Sequence, residues 1–121
     1  MKSIFIITRM STNRAKHLLL VALLVAVPSP GTAADDHSIP LAIGEQGFSP
    51  AETEAPAGVR IRFEVTNQAT GAVEFESFDL NRERVIQPGQ TVNVYVSGLA
   101  PGRYEFFDDF HQERRGTLVV K

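Results

Sequence analysis

From Val59 to Thr66 apolar and polar residues alternate without a break, with Val59, Ile61, Phe63 and Val65 set against Arg60, Arg62, Glu64 and Thr66. Successive side chains of an extended chain point to opposite faces, so a sustained period of two describes a strand with one face buried and the other wet. A helix would scatter the same apolar residues around its circumference. The pattern returns at Val92, Val94 and Val96 against Thr91, Asn93 and Tyr95, directly after the turn-forming Gln87-Pro88-Gly89-Gln90. Shorter candidate strands are Ile39 to Ile43, Ala72 to Glu76, Arg103 to Phe107 and Thr117 to Val120. Between them lie the breakers Ser49-Pro50, Pro56-Ala57-Gly58, Asn67 to Gly71 and Ala100-Pro101-Gly102. No stretch after residue 34 carries helical periodicity. Short strands separated by turn signals at roughly 8–12-residue intervals predict an all-β fold, a Greek-key β-sandwich of roughly six to eight strands.

The first 34 residues have the layout of a cleavable export signal. Lys2, Arg9, Arg14 and Lys16 precede the apolar run Leu18 to Val27, and Pro28 to Ala34 follows with small residues and prolines. The run is about half the roughly 20 residues a membrane-spanning helix needs, so the expectation is cleavage after Ala34 and no membrane insertion of what remains. Met10 is an alternative start. Residues 35–121 are then one domain, too short for two. All fourteen carboxylates lie in that part, whereas four of the twelve Lys and Arg lie before it, so its formal charge is 8 minus 14, or −6. Such a surface disfavours nucleic acid and anionic lipid as partners and suits cations. With no Cys for disulfides, stability has to come from the core, with a bound metal as a further source.

Chemistry concentrates in Tyr104 to Val120. Two-residue spacing puts Tyr104, Phe106 and Asp108 on one face, the aromatics in the core and Asp108 at its rim. His111 follows three residues later, near enough for a loop to turn it back toward Asp108, and carboxylate with imidazole is a transition-metal donor pair. Glu74 and Glu76 share a face if their segment is a strand, pointing together at a metal or together at solvent. Asp109 would point away from Asp108. Asp79, Glu83 and Glu113 read as solvated, as do Arg82, Arg84, Arg114 and Arg115 unless they form a patch for an acidic partner or an anion. His37 reads as an exposed residue near the start of the domain. There is no Gly-rich phosphate loop, nucleophile elbow or Cys and His zinc cluster.

The order Phe48-Ser49-Pro50, Pro56-Ala57-Gly58, Val65-Thr66-Asn67, Pro88-Gly89, then Asp108, His111 and Gly116-Thr117-Leu118-Val119-Val120 resembles the cupredoxins, including their cysteine-lacking relatives. In that pattern an aromatic strand leads to a Cys, two residues, a His, a few residues, a Met, and a closing strand that opens with Gly. Asp108 stands at the Cys position, His111 at the His, and Arg114 or Arg115 where the Met would lie; the family's other His falls near Glu74. Without a thiolate this is no blue-copper centre. The resemblance implies a metal site of Glu74, Glu76, Asp108 and His111 holding one ion, iron first and oxidised copper second. Val73 to Leu80, Glu83 to Gly89 and Phe107 to His111 are similar to the small periplasmic cupredoxin-like proteins of bacterial ferrous-iron uptake. That likeness implies a periplasmic protein working beside an iron-binding protein and an inner-membrane iron permease. Three roles stay open: oxidation of Fe(II), metal delivery without turnover, and a metal-free adaptor of a membrane complex.

Overall fold

The structure is a computed structural model that describes residues 25–31 and 35–121. Residues 1–24 and 32–34, which carry most of the expected export signal and its cleavage point, lie outside the described residues. The chain divides into two units, Met1–Thr32 and Ala33–Lys121. Residues 25–31 of the first have no regular secondary structure. In the second, the described residues form β1 (His37–Gly44), β2 (Gly47–Ser49), β3 (Glu52–Ala55), β4 (Arg60–Asn67), β5 (Val73–Ser77), β6 (Arg82–Ile86), β7 (Thr91–Ser97), β8 (Gly102–Asp108) and β9 (His111–Val120).

The strands make a four-stranded sheet ordered β2-β1-β4-β7 and a five-stranded sheet ordered β3-β9-β8-β5-β6. The chain therefore passes from one sheet to the other at β2–β3, β3–β4, β4–β5, β6–β7 and β7–β8, and the domain is a β-sandwich. All six expected strands occur. The total is nine because β2 and β3 are too short for a period to register, and because β6 shows no apolar alternation in Arg82 to Val85, all of which are exposed. As an edge strand, β6 has only one neighbour to satisfy, and its charges discourage pairing with another chain.

β4 is central to its sheet, parallel to β1 and antiparallel to β7, and its even positions all point inward. Register sets Ile39 and Val94 on either side of Phe63, and Ile61 beside Val96. Between the sheets Phe48, Phe63, Phe75 and Phe106 form one ring cluster. Phe106 lies 4.9 Å from Phe48, 5.4 Å from Phe75 and 6.0 Å from Phe63, centroid to centroid. Each such buried ring contributes on the order of 1.5–3 kcal/mol, which suits a domain without disulfides. Gly116 faces Phe106 in the β8–β9 register, and a Cβ there would lie 2.1 Å from the ring's Cε2. This glycine makes room for an aromatic ring rather than easing a backbone dihedral.

Two devices shape the end of the sandwich that carries the acidic residues. Asn67, fully buried, donates from Nδ2 to the carbonyls of Gly71 (2.8 Å) and Ile86 (2.9 Å) and accepts from Ala69 N–H (2.8 Å), fixing the turn that leads into β5. In β8–β9 the register runs Phe106↔Gly116 and Phe107↔Arg115 and then slips to Asp108↔His111. The slip leaves Gln112, Glu113 and Arg114 without partners on β8, while Arg114 keeps the inward phase of Gly116, Leu118 and Val120. What the irregular ladder re-aims is His111, which it brings opposite Asp108.

Candidate metal centre

β5 alternates Val73, Phe75 and Ser77 inward with Glu74 and Glu76 outward. A tight turn, with Asn81 at φ 52° and Ser77 Oγ accepting from Leu80 N–H at 3.1 Å, folds β6 back beside it. The resulting register places Glu83 directly across from Glu76 and Val85 across from Glu74. One carboxylate oxygen from each of Glu74, Glu76 and Glu83 falls within 4.8 Å of the others. Glu74 is only 8% exposed, Glu76 half-buried and Glu83 exposed, so the trio opens to solvent on one side. Asp109 stands beside it, donating its N–H to the Glu74 carbonyl at 2.9 Å.

Among the described residues no Lys, Arg or His pairs with any of these three carboxylates. The electrostatic consequence is direct. Burial pushes the Glu74 carboxyl above its ordinary range, a proton shared with Glu83 and the charges of Glu83, Asp109 and Glu76 acting in the same sense. Burial likewise raises Glu76, helped by Glu83 and Asp109. Carboxylates that repel each other in a partly dry site are stabilised by a proton or by a cation that bridges them. Three oxygen donors suit a hard ion, iron or manganese, or oxidised copper ahead of Cu(I).

Asp108 and His111 lie at a neighbouring point. Asp108 is fully buried rather than at the rim. Its Oδ1 accepts from the backbone N–H of Glu74 (2.9 Å) and of Phe110 (3.1 Å), and its Oδ2 accepts from Arg114 Nη1 at 3.2 Å. His111 begins β9 instead of sitting in a loop, and its Nδ1 lies 3.3 Å from Asp108 Oδ2 and 3.3 Å from Arg114 Nη1. Arg114 is not a solvated charge: its side chain is 6% exposed, and its Nη2 donates to Glu45 Oε2 at 2.9 Å. The four residues singled out in the sequence thus divide between two adjacent centres, Glu74 and Glu76 in one and Asp108 and His111 in the other, linked through the Glu74 backbone.

Glu83 and Arg114, which the sequence reads as solvated charges, are members of these centres, and Glu45 is not singled out in the sequence at all. Reading Arg82 to Ile86 as a strand would have found Glu83, because a short turn after Ser77 puts it opposite Glu76. Glu45 carries no such signal, being 69 residues from Arg114 in the chain.

Apolar surface borders the trio. Phe107, the register partner of Glu76, lies under the 78% exposed Phe78 (centroids 5.4 Å apart) and under the Arg115 guanidinium (5.0 Å). With Asp79, Glu105 and Gln112 these residues line a cleft of about 270 Å³.

Comparison with known proteins gives a consistent picture. Residues 17–120 match the family described as Cupredoxin-like domain. An uncharacterized protein of Rickettsia prowazekii is 36% identical over 83 residues, 68% of this chain and 66% of that protein, so the chain spans about two thirds of the relative's length. Among solved structures, the metal-binding domain of the Cu(I)-exporting P-type ATPase CopA of Streptococcus pneumoniae, determined with Cu(I), superposes with a TM-score of 0.63 at 15% identity, over 74% of this chain and 91% of that one. A purple cupredoxin of Nitrosopumilus maritimus does so with 0.54 at 20% identity, over 71% of this chain and all of the other. An auracyanin of Roseiflexus castenholzii gives 0.59 at 16% identity, over 73% and 99%. At these identities the structural likeness is one of fold.

Proposed function

Since the chain belongs to the cupredoxin-like domain family and carries three converging carboxylates without a counterion, we propose that it binds one iron ion through Glu74, Glu76 and Glu83 and passes it on during ferrous-iron uptake outside the cytoplasm. The observation that carries this reading is the trio itself: donor atoms within 4.8 Å of one another, one of them on a residue more than nine-tenths buried. Iron is written here as cargo. An all-carboxylate set gains more from a triply than a doubly charged ion, so Fe(II) held there loses an electron more readily than in water. Asp108 serves the trio as a positioning residue by anchoring the Glu74 backbone. The open side, bordered by Phe78 and Val85, supports docking of a partner that receives the ion, an iron-binding protein or an inner-membrane permease.

Copper is the metal named for one structural relative. The residues Asp108, His111 and Arg114 do not fit it, because a guanidinium nitrogen already lies 3.2 and 3.3 Å from the two donors.

Anaerobic calorimetric titration of residues 35–121 with Fe(II), and separately with Cu(II), tests the reading. We expect one site, weakened at least tenfold, about 1.4 kcal/mol, by Glu83→Gln or Glu74→Gln. Equal binding by wild type and both variants would sink it, and binding of neither metal would leave the adaptor role.

A further inference from the structure

We propose that Arg114 is the resident cation of the Asp108–His111 position, a built-in positive charge that closes this position to metal ions. Three groups of metal-ligand type, the Asp108 and Glu45 carboxylates and the His111 imidazole, converge on one guanidinium. Nη1 lies 3.2 Å from Asp108 Oδ2 and 3.3 Å from His111 Nδ1, and Nη2 lies 2.9 Å from Glu45 Oε2. Because they are shared between two nitrogens of the fork, these donors do not form a tight set for a single ion; among the described residues that set is Glu74, Glu76 and Glu83.

Chemistry makes the closure firm. A guanidinium has no accessible neutral form, so unlike a lysine or histidine it cannot yield to an incoming cation by releasing a proton. It only donates hydrogen bonds, so where it bonds His111 it takes the Nδ1 lone pair, the one that a metal held between His111 and Asp108 would need. Asp108 is fully buried and Arg114 nearly so, which leaves little water to screen repulsion between the guanidinium and a second cation. Arg114 Nε is buried with no partner. The side chain is thus held by the carboxylates at its tip and not by full satisfaction of its own donors. The alternation of β9 delivers it there, Arg114 sharing the inward face of Gly116, Leu118 and Val120, and the three-residue slip brings His111 opposite Asp108 beside it.

The inference does not depend on the trio binding iron, and the experiment separates the two. Cu(II) is the probe, in a Glu76→Gln/Glu83→Gln background that disables the trio, with electron paramagnetic resonance reporting imidazole nitrogen coupling. With Arg114 intact, Cu(II) at one equivalent shows no coupling that His111→Ala removes. Arg114→Met, which keeps side-chain length without charge, gains a Cu(II) site at least tenfold tighter, with nitrogen coupling lost in Arg114→Met/His111→Ala. Arg114→Lys, which keeps the charge, gains far less. Coupling to His111 in the protein that retains Arg114 overturns the proposal, as does a folded Arg114→Met variant with no new site. The measurement with Arg114 in place requires no core substitution and decides the matter even if Arg114→Met fails to fold.

Discussion

Glu76 on β5 stands directly opposite Glu83 on β6 in an antiparallel ladder, two like charges in cross-strand register that no Lys, Arg or His among the described residues pairs with. Like charges so placed are destabilising by roughly 0.2–1 kcal/mol. Glu83→Gln should therefore stabilise the metal-free protein by about that amount in urea unfolding, while removing the rise in stability that Fe(II) gives the wild type. A variant less stable than wild type without metal would show that Glu83 contributes some other contact.

The same repulsion sets a pH dependence. Glu74 and Glu76 have folded-state pKa values above their ordinary 4.5, burial being the first cause. The folded state then binds protons more readily than the unfolded, so their contribution is fully present below about pH 4.5 and is lost as pH rises through the folded values. Glu45 runs the other way: hydrogen bonds from Thr70 hold it below 4.5, and its contribution is lost as pH falls through its folded value. In the metal-free protein Glu74→Gln should raise Tm at pH 7, with the gain shrinking toward pH 4. A gain that is independent of pH would place its origin elsewhere.

Gly116→Ala tests the core beneath the site. The added Cβ would lie 2.1 Å from Phe106 Cε2, and that ring is fully buried among Phe48, Phe63 and Phe75. Overpacking should cost about 1–3 kcal/mol in denaturant unfolding, and near-wild-type stability would mean that the ring has room to move.

Asp108→Ala strands the Arg114 guanidinium in a buried position and removes the acceptor for Glu74 and Phe110 N–H. Breaking a buried pair in this way costs about 3–5 kcal/mol. Truncating both partners, Asp108→Ala/Arg114→Ala, should cost less than the sum of the single changes, and additivity in that double-mutant cycle would deny the coupling.

What the sequence by itself determined about this protein is the set of inward faces. The alternations at Val59 to Thr66 and Thr91 to Val96 leave one choice of core side, because a period of two allows only that choice, and the Tyr104, Phe106, Asp108 spacing set the face of β8 in the same way. The return of His111 toward Asp108 was legible for a similar local reason, the residues being three apart. Tertiary structure alone decided what surrounds those faces. Edge strand β6 carries no burial pattern, so the pairing of Glu83 with Glu76 depends on how the turn after Ser77 closes. Arg114 continues the inward phase of Leu118 and Val120, but its neighbours do not follow from that phase: a slip between two strands brings His111 beside it, and Glu45 reaches it from 69 residues away. Local alternation records which side of a strand meets apolar neighbours; it holds no record of which charges meet across the ladder, and that pairing separates the carboxylate trio from the position Arg114 fills.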